Sequence, residues 1–333
     1  MTKSWKSSVD FLDKFVSDSH KLTPEQTYFT YKGILFPVAA CKPETIQALE
    51  TFEARLDDIF LCGYRKTGTN WVEHILNHLA ITAAKYTEEE VEERISIARE
   101  LAITPRLEFG DPDKFKKMEK LPSRRIIVTH LHPHMLPTSI FRNKAKVLVL
   151  IRNPKDTMVS SFHFRNKLSS FPVSTWDEYF TDYMNGKVSG GSYFDYVKRW
   201  DKYIDDENVM GISYEELKEN LNLGVQKIAK FFGLSLNNEE IEGVVEKSSI
   251  DALKERAHET HGLFGAILFS KGHVGNWKSM FTESQSQAMD KKFEEHLAGT
   301  KLGAKVKYDV YGTARCEAGA PPFENIPVAR NGS

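Results

Sequence analysis

With 333 residues, 41% hydrophobic and 27% charged, the chain has the balance of an ordinary globular enzyme and the length to bury a large core. Its 45 basic and 46 acidic residues leave a formal charge of −1, which excludes the broad positive field of a nucleic-acid-binding protein. A local basic pocket for a small anion stays open.

Cys41, Cys62 and Cys316 are too few and too scattered for a disulfide framework or a cysteine zinc site, and three free thiols suit a reducing compartment. The amino terminus lacks a signal-peptide apolar stretch, and the longest aliphatic run, Val147 to Ile151, is far too short to span a bilayer. The expectation is a soluble, cytoplasmic protein with no membrane partner.

In chain order, Phe11, Leu12, Phe15 and Val16 alternate with charges and predict a short amphipathic helix ending near Lys21. Tyr28 to Pro37 reads as a strand pair around a turn at Lys32-Gly33. Ile59 to Gly63 is a short buried strand, followed by a Gly-containing loop. The next helix carries Trp71, Ile75, Leu76, Leu79 and Ala80 on one apolar face. Residues 85–120 are charge-rich and read as a helix and a mobile loop. Arg125–His130 and Lys146–Ile151 are strands buried on both faces, as in a parallel sheet. After Arg152, Asn153 can cap a helix, with Pro154 at its first position and Asp156 at its positive end. Val209–Tyr214 is a fourth strand, and Leu217–Phe232 reads as helical. Strand–helix alternation predicts a single α/β domain over residues 1–310, a central parallel sheet flanked by helices. The Gly-, Ala- and Pro-rich stretch 311–333 predicts a disordered tail.

Three segments carry chemistry. Gly63-Tyr-Arg-Lys66-Thr67-Gly68-Thr69-Asn70-Trp71 joins a strand to a helix, so its backbone amides and the helix amino terminus form an anion cradle. It is not a Walker A loop, because Lys66 precedes Gly68. This weakens a P-loop kinase reading. Arg152-Asn153-Pro154-Lys155-Asp156 lies at a strand's carboxyl end, where ligands of open parallel sheets bind, and Arg152 offers a planar fork for phosphate. Lys271-Gly272-His273-Val274-Gly275-Asn276-Trp277-Lys278 is a basic, glycine-containing loop.

Together, in this order and spacing, these segments resemble the cytosolic sulfotransferase family. That family has a Tyr-Pro-Lys-Ser-Gly-Thr-Thr-Trp loop, an Arg-Asn-Pro-Lys-Asp motif with a serine beyond it, and a late Arg-Lys-Gly…Gly-Asp-Trp-Lys loop. The similarity runs from about Phe29 to Lys307. It is greatest to the 6B-type members, through Thr51–Arg55 and Ser139–Lys146.

The resemblance implies a P-loop-like sulfotransferase fold and transfer of a sulfuryl group from 3′-phosphoadenylyl sulfate (PAPS) to the hydroxyl of a small organic acceptor. The acceptor is expected to be phenolic, thyroid-hormone-like phenols included. It implies that Lys66, Thr67, Gly68, Thr69, Asn70 and Trp71 hold the 5′-phosphosulfate. Arg152 and Ser160 would hold the 3′-phosphate, Tyr214 and Ser248 the base, and Lys271 and Gly272 would close the site. His130 matches the family's catalytic histidine. A histidine titrates near working pH and suits removal of an acceptor proton. Lys66 would stabilise charge on the leaving phosphate. His132 and His134 lie close by, but no cysteine or carboxylate cluster accompanies them, so no metal is expected. Phe164 and Arg106 match two positions that gate the acceptor, and Arg106 suggests an acceptor bearing an anionic group.

Several residues depart from the pattern. Arg65 replaces a proline, Val128 a lysine, Ile250 an aromatic and Ser270 an arginine. The alternative these raise is a catalytically impaired protein that binds PAPS or its product, 3′-phosphoadenosine 5′-phosphate (PAP). In the family's dimer motif Lys278 and Thr282 remain, whereas Glu283 and Gln287 replace a valine and a glutamate. A monomer is therefore favoured over a homodimer.

Overall fold

The computed structural model describes residues 26–100, 106–168, 171, 173–255 and 274–313. The expected amino-terminal helix, Lys271, Gly272, Ser270, Cys316 and all but the first residues of the expected tail lie outside that set.

The hairpin forms where predicted: β1 (Tyr28–Tyr31) pairs antiparallel with β2 (Ile34–Pro37), and Gly33 turns at φ +78°. The core is a four-stranded, all-parallel sheet of β3 (Ile59–Gly63), β4 (Ile126–Thr129), β5 (Lys146–Ile151) and β6 (Val209–Ser213), in the order β4-β3-β5-β6. Each strand is an apolar run because both faces are covered. Phe60, Cys62, Ile127, Val147 and Val149 join one cluster with Tyr196 and Trp200. Ile59, Leu61, Val128, Leu148 and Leu150 join another with Ile75, Leu76, Leu79, Ile228 and Phe232.

The chain leaves β3 towards β4 on one side and returns to β5 on the other. The switch point therefore lies between the carboxyl ends of β3 and β5, the place where sheets of this kind bind ligands. Helix α1 (Thr69–Ala84) starts there, buries Trp71, Val72, Ile75, Leu76 and Leu79, and leaves Ala80 half-buried. Helix α2 (Glu88–Glu100) follows in the charge-rich region. Helix α3 (Pro154–Lys167) begins after β5. Asn153 caps it as predicted, its side chain accepting from the Lys155 amide at 2.9 Å.

Leu217–Phe232 is helical as expected, and the helix divides at Asn220 into α4 (Tyr214–Glu219) and α5 (Leu221–Phe232). Asn220, at φ −149° and ψ 89°, leaves helical geometry and caps α5 by accepting from the Leu223 amide at 2.9 Å. A short polar side chain competes for the backbone and restarts the helix. The fourth strand also stops one residue early, since Ser213 caps α4 with a capping box to Glu216.

Candidate active site

The turn after β3 is too tight for side chains at its glycines. A Cβ on Gly63 would lie 2.7 Å from Thr69 Cγ2 and 2.8 Å from Thr67 Oγ1. Gly68, the N-cap of α1, sits at φ +105°, and a Cβ there would reach Tyr214 Cδ2 at 2.8 Å. Lys66 itself adopts φ +68°, a costly conformation for lysine that surrounding contacts must hold. No side chain caps α1 and its first turn carries no acid, so its amide dipoles stay available to an anion.

Two cations converge on this turn. Lys66 Nζ lies 4.3 Å from the Phe164 ring centroid, and Arg152 Nη1 donates to the Lys66 carbonyl at 3.2 Å. Burial, then the positive charges of Arg152, Arg65 and Lys167, lowers the Lys66 ammonium to about 7. Arg152 also lies over the Tyr214 ring, 4.3 Å from its centroid. Ser160 and Phe164 are one turn apart on α3 and therefore share a face.

Beside these cations is an aromatic wall. Trp71 is 4% exposed, meets Tyr214 edge-on at 5.3 Å, and donates from Nε1 to the Ser248 carbonyl at 2.7 Å. The Ser248 hydroxyl is buried and has no hydrogen-bond partner among the described residues. Ile250 and Val274 pack against the same cluster, so the aromatic missing at position 250 is replaced by aliphatic surface.

His130 follows β4, next to β3, and its Nδ1 lies 2.7 Å from the Gly63 carbonyl. A carbonyl can only accept, so Nδ1 carries the hydrogen and Nε2 keeps its lone pair. Burial and the positive charges of Arg106, Arg65 and Lys66 hold the imidazole well below the ordinary histidine range, so it is neutral at pH 7. His130 thus bonds to the start of the turn that carries Lys66, and the Lys66 charge reaches its imidazole.

Glu108 anchors this histidine. Its carboxylate accepts from the Thr129 hydroxyl at 2.8 Å and from the His130 amide at 3.0 Å. A narrow cavity beside His130 is lined by Cys41, Arg65, Glu108, Phe109, His132 and Gly190, among others. Sequence reasoning missed Glu108, although an acid between Leu107 and Phe109 was a signal. It noted Arg65 only as a departure.

Arg106 and Phe164 are not in that cavity's lining. The Arg106 guanidinium is 7% exposed, pairs with Glu73 at 2.9 Å and also donates to Asn70 Oδ1. Asn70 is thereby tied to Arg106. Of the late loop, only the residues from Val274 onward are described. Asp156 accepts from the Gly275 amide at 2.8 Å and the Trp277 amide at 3.0 Å, pinning that loop to the start of α3. Among the described residues no group of three or more His, Cys, Asp or Glu could hold a metal, and no helix is long and apolar enough to cross a membrane.

Residues 56–301 match the family model for the sulfotransferase domain. The chain is 47% identical to mouse Sulfotransferase 6B1 over 306 residues, covering 91% of this chain and 97% of that protein. Human Sulfotransferase 6B1 is 46% identical over the same shares. The crystal structure of mouse sulfotransferase SULT7A1 complexed with PAP superposes with a TM-score of 0.73 at 31% identity, covering 85% of this chain and 99% of that one. Retinol dehydratase with androsterone and inactive cofactor PAP shares the fold at a TM-score of 0.64 and 19% identity, covering 86% and 95%. With the family model spanning most of its length and such relatives on either side, the chain belongs to the sulfotransferase family.

Proposed function

We propose that the protein transfers a sulfuryl group from PAPS to the hydroxyl of a small phenolic acceptor, with His130 as general base and Lys66 as the cation on the leaving side. The observation that carries this reading is the convergence of Lys66, Arg152 and a neutral His130 on the carboxyl ends of three adjacent strands.

The residues fit the nucleotide. Three acidic groups need cations and amide dipoles, which Lys66, Arg152 and the start of α1 supply. A purine base needs a flat apolar slot with a polar edge. Trp71, Tyr214 and Ile250 form the slot, and the unpartnered Ser248 hydroxyl is a donor or acceptor at its rim. Thr67, Thr69 and Asn70 lie along the cradle, Ser160 faces it from α3, and Lys271 and Gly272 are proposed to complete it.

When bound, PAPS supplies the sulfuryl group and a phosphate leaving group. His130 Nε2 takes the acceptor's proton as the acceptor oxygen bonds to sulfur and the sulfur–phosphate oxygen bond breaks. Glu108 and the Gly63 carbonyl keep the imidazole aimed and in the right tautomer. Lys66 holds the charge that collects on the phosphate side. The polyanion raises the lysine's pKa again, so the ammonium is restored when the site fills.

Phe164 and Arg106 are proposed to flank the acceptor's entry. Because Glu73 matches the charge of Arg106, selection of anionic acceptors there requires that pair to open. We also read the protein as a cytoplasmic monomer. Thr282 caps the helix that begins at Glu283, and Glu283 bonds Gln287 within it instead of presenting an apolar contact.

The test is direct. The protein, PAPS and a panel of simple phenols are mixed without divalent metal, and sulfated product is sought by mass spectrometry. Product is expected; PAP binding with no product from any acceptor would favour the binding-only reading. Lys66→Ala should lower turnover by about 10²–10³-fold, judging from losses of comparable charge stabilisers. A folded variant with the parent rate would remove Lys66 from the mechanism.

A further inference from the structure

Arg65 occupies the position before Lys66 where the family pattern has a proline. It lines the cavity beside His130, and its Nη1 donates to the hydroxyl of Ser189, another lining residue. The place is built around it. Gly190, at φ +88°, is a position for glycine, and it packs along the Arg65 stem, where a Cβ would lie 3.4 Å from Cδ. The 189–191 loop is held by the Gly190 amide on the Leu35 carbonyl at 2.9 Å, the Tyr64 hydroxyl on the Gly191 carbonyl at 2.6 Å and His132 Nε2 on the Gly190 carbonyl at 3.0 Å.

Two cations near the cavity have partners of their own. Arg106 has Glu73, and the buried Lys114 ammonium donates to the carbonyls of Arg106 and Phe109. Arg65 has a neutral hydroxyl and forms no ion pair among the described residues. Glu108 shares the cavity, but its two oxygens already accept from Thr129 and His130. With Ser189 as its one hydrogen-bond partner among the described residues and no ion pair, the guanidinium keeps N–H donors for a fork on two further oxygens, although the Glu108 charge lies in the same cavity.

We propose that Arg65 is a specificity-determining residue, selecting phenols and alcohols that carry a carboxylate near the hydroxyl to be sulfated. The inference rests on the sulfotransfer reading above and adds to it that the acceptor's carboxylate enters the cavity beside His130. It moves recognition of the anion from Arg106 to Arg65. Arg65 also adds to the charge that depresses the His130 imidazole, and an acceptor carboxylate would offset that charge.

A matched pair tests it: 3-hydroxybenzoate against its neutral amide. One charge-assisted contact predicts a kcat/KM preference of roughly 10–100-fold for the acid. In Arg65→Met, which keeps the aliphatic stem, the ratio should fall towards one, and Arg65→Lys should restore part of it. The affinity for PAP, titrated alone, should change by less than the ratio does. Turnover of both phenols with no preference for the acid would overturn the inference and leave sulfotransfer intact. So would an unchanged ratio in Arg65→Met with a large loss of PAP affinity, which would assign the guanidinium to the nucleotide. Calorimetry of the same pair on PAP-saturated protein needs neither a variant nor turnover. Selective binding of the acid without any product would sustain Arg65 and sink the proposed reaction instead.

Discussion

Lys66 is the residue on which most of the site's electrostatics turn. Its ammonium is lowered to about 7 because it is buried among Arg152, Arg65 and Lys167. A polyanion reverses that shift, so above pH 7 the free protein must take up a proton as it binds PAP. Affinity should then fall as pH rises past 7, by at most about tenfold per unit. Calorimetry in buffers of different ionisation enthalpy reads the uptake, and affinity that is flat from pH 6 to 9 would rule out this linkage. His130 runs the other way. It is neutral above its lowered pKa, so loss of the base form belongs below pH 6.5 and does not limit turnover at neutrality. Both residues were legible in the sequence because a strand-end loop and a familiar order of motifs frame them. Glu108 and Arg65 were not, since their work depends on which segments fold against them.

At the scale of elements, the site is a set of strand-to-helix turns, each with its own stop signal. Ile59–Gly63 and Lys146–Ile151 were predicted residue for residue, because a strand buried on both faces leaves an unbroken aliphatic run. The break at Asn220 was missed because an asparagine inside an apolar periodicity reads as a solvated position until its side chain finds the Leu223 amide. The turn after β3 is the least forgiving element. Gly68 needs φ +105° and contact distance to Tyr214, so Gly68→Ala should cost roughly 1–3 kcal/mol. Thermal denaturation reads that loss, and PAP affinity should fall with it as Tyr214 is pushed off Trp71. A variant with the parent's melting temperature and PAP affinity would mean that the turn relaxes freely.

Across the whole molecule, the Arg-Asn-Pro-Lys-Asp motif ties distant parts of the chain together. Lys155 is fully buried, pairs with Asp290 at 2.6 Å, donates to Ser286 Oγ at 2.7 Å and to the Gly312 carbonyl at 2.6 Å, and lies over Trp277. With Asp156 on Gly275 and Trp277, it clamps the last described segment, 274–313, to the strand end that carries Arg152. Sequence order alone could not reveal this, because the partners lie more than a hundred residues away. Lys155→Met should lower stability by roughly 2–4 kcal/mol, less than a fully buried pair because Asp290 is partly exposed. Urea denaturation measures it, and an unchanged midpoint would make the clamp ornamental.

The imidazole at the end of β4 is the centre of the proposed reaction. The rate of sulfated-product formation from PAPS and a phenol, compared between the parent and His130→Ala alongside PAP titration of both, tests it most directly. A fall of at least about 100-fold in rate with PAP affinity held is the predicted result. A His130→Ala protein that turns over at the parent's rate would contradict it.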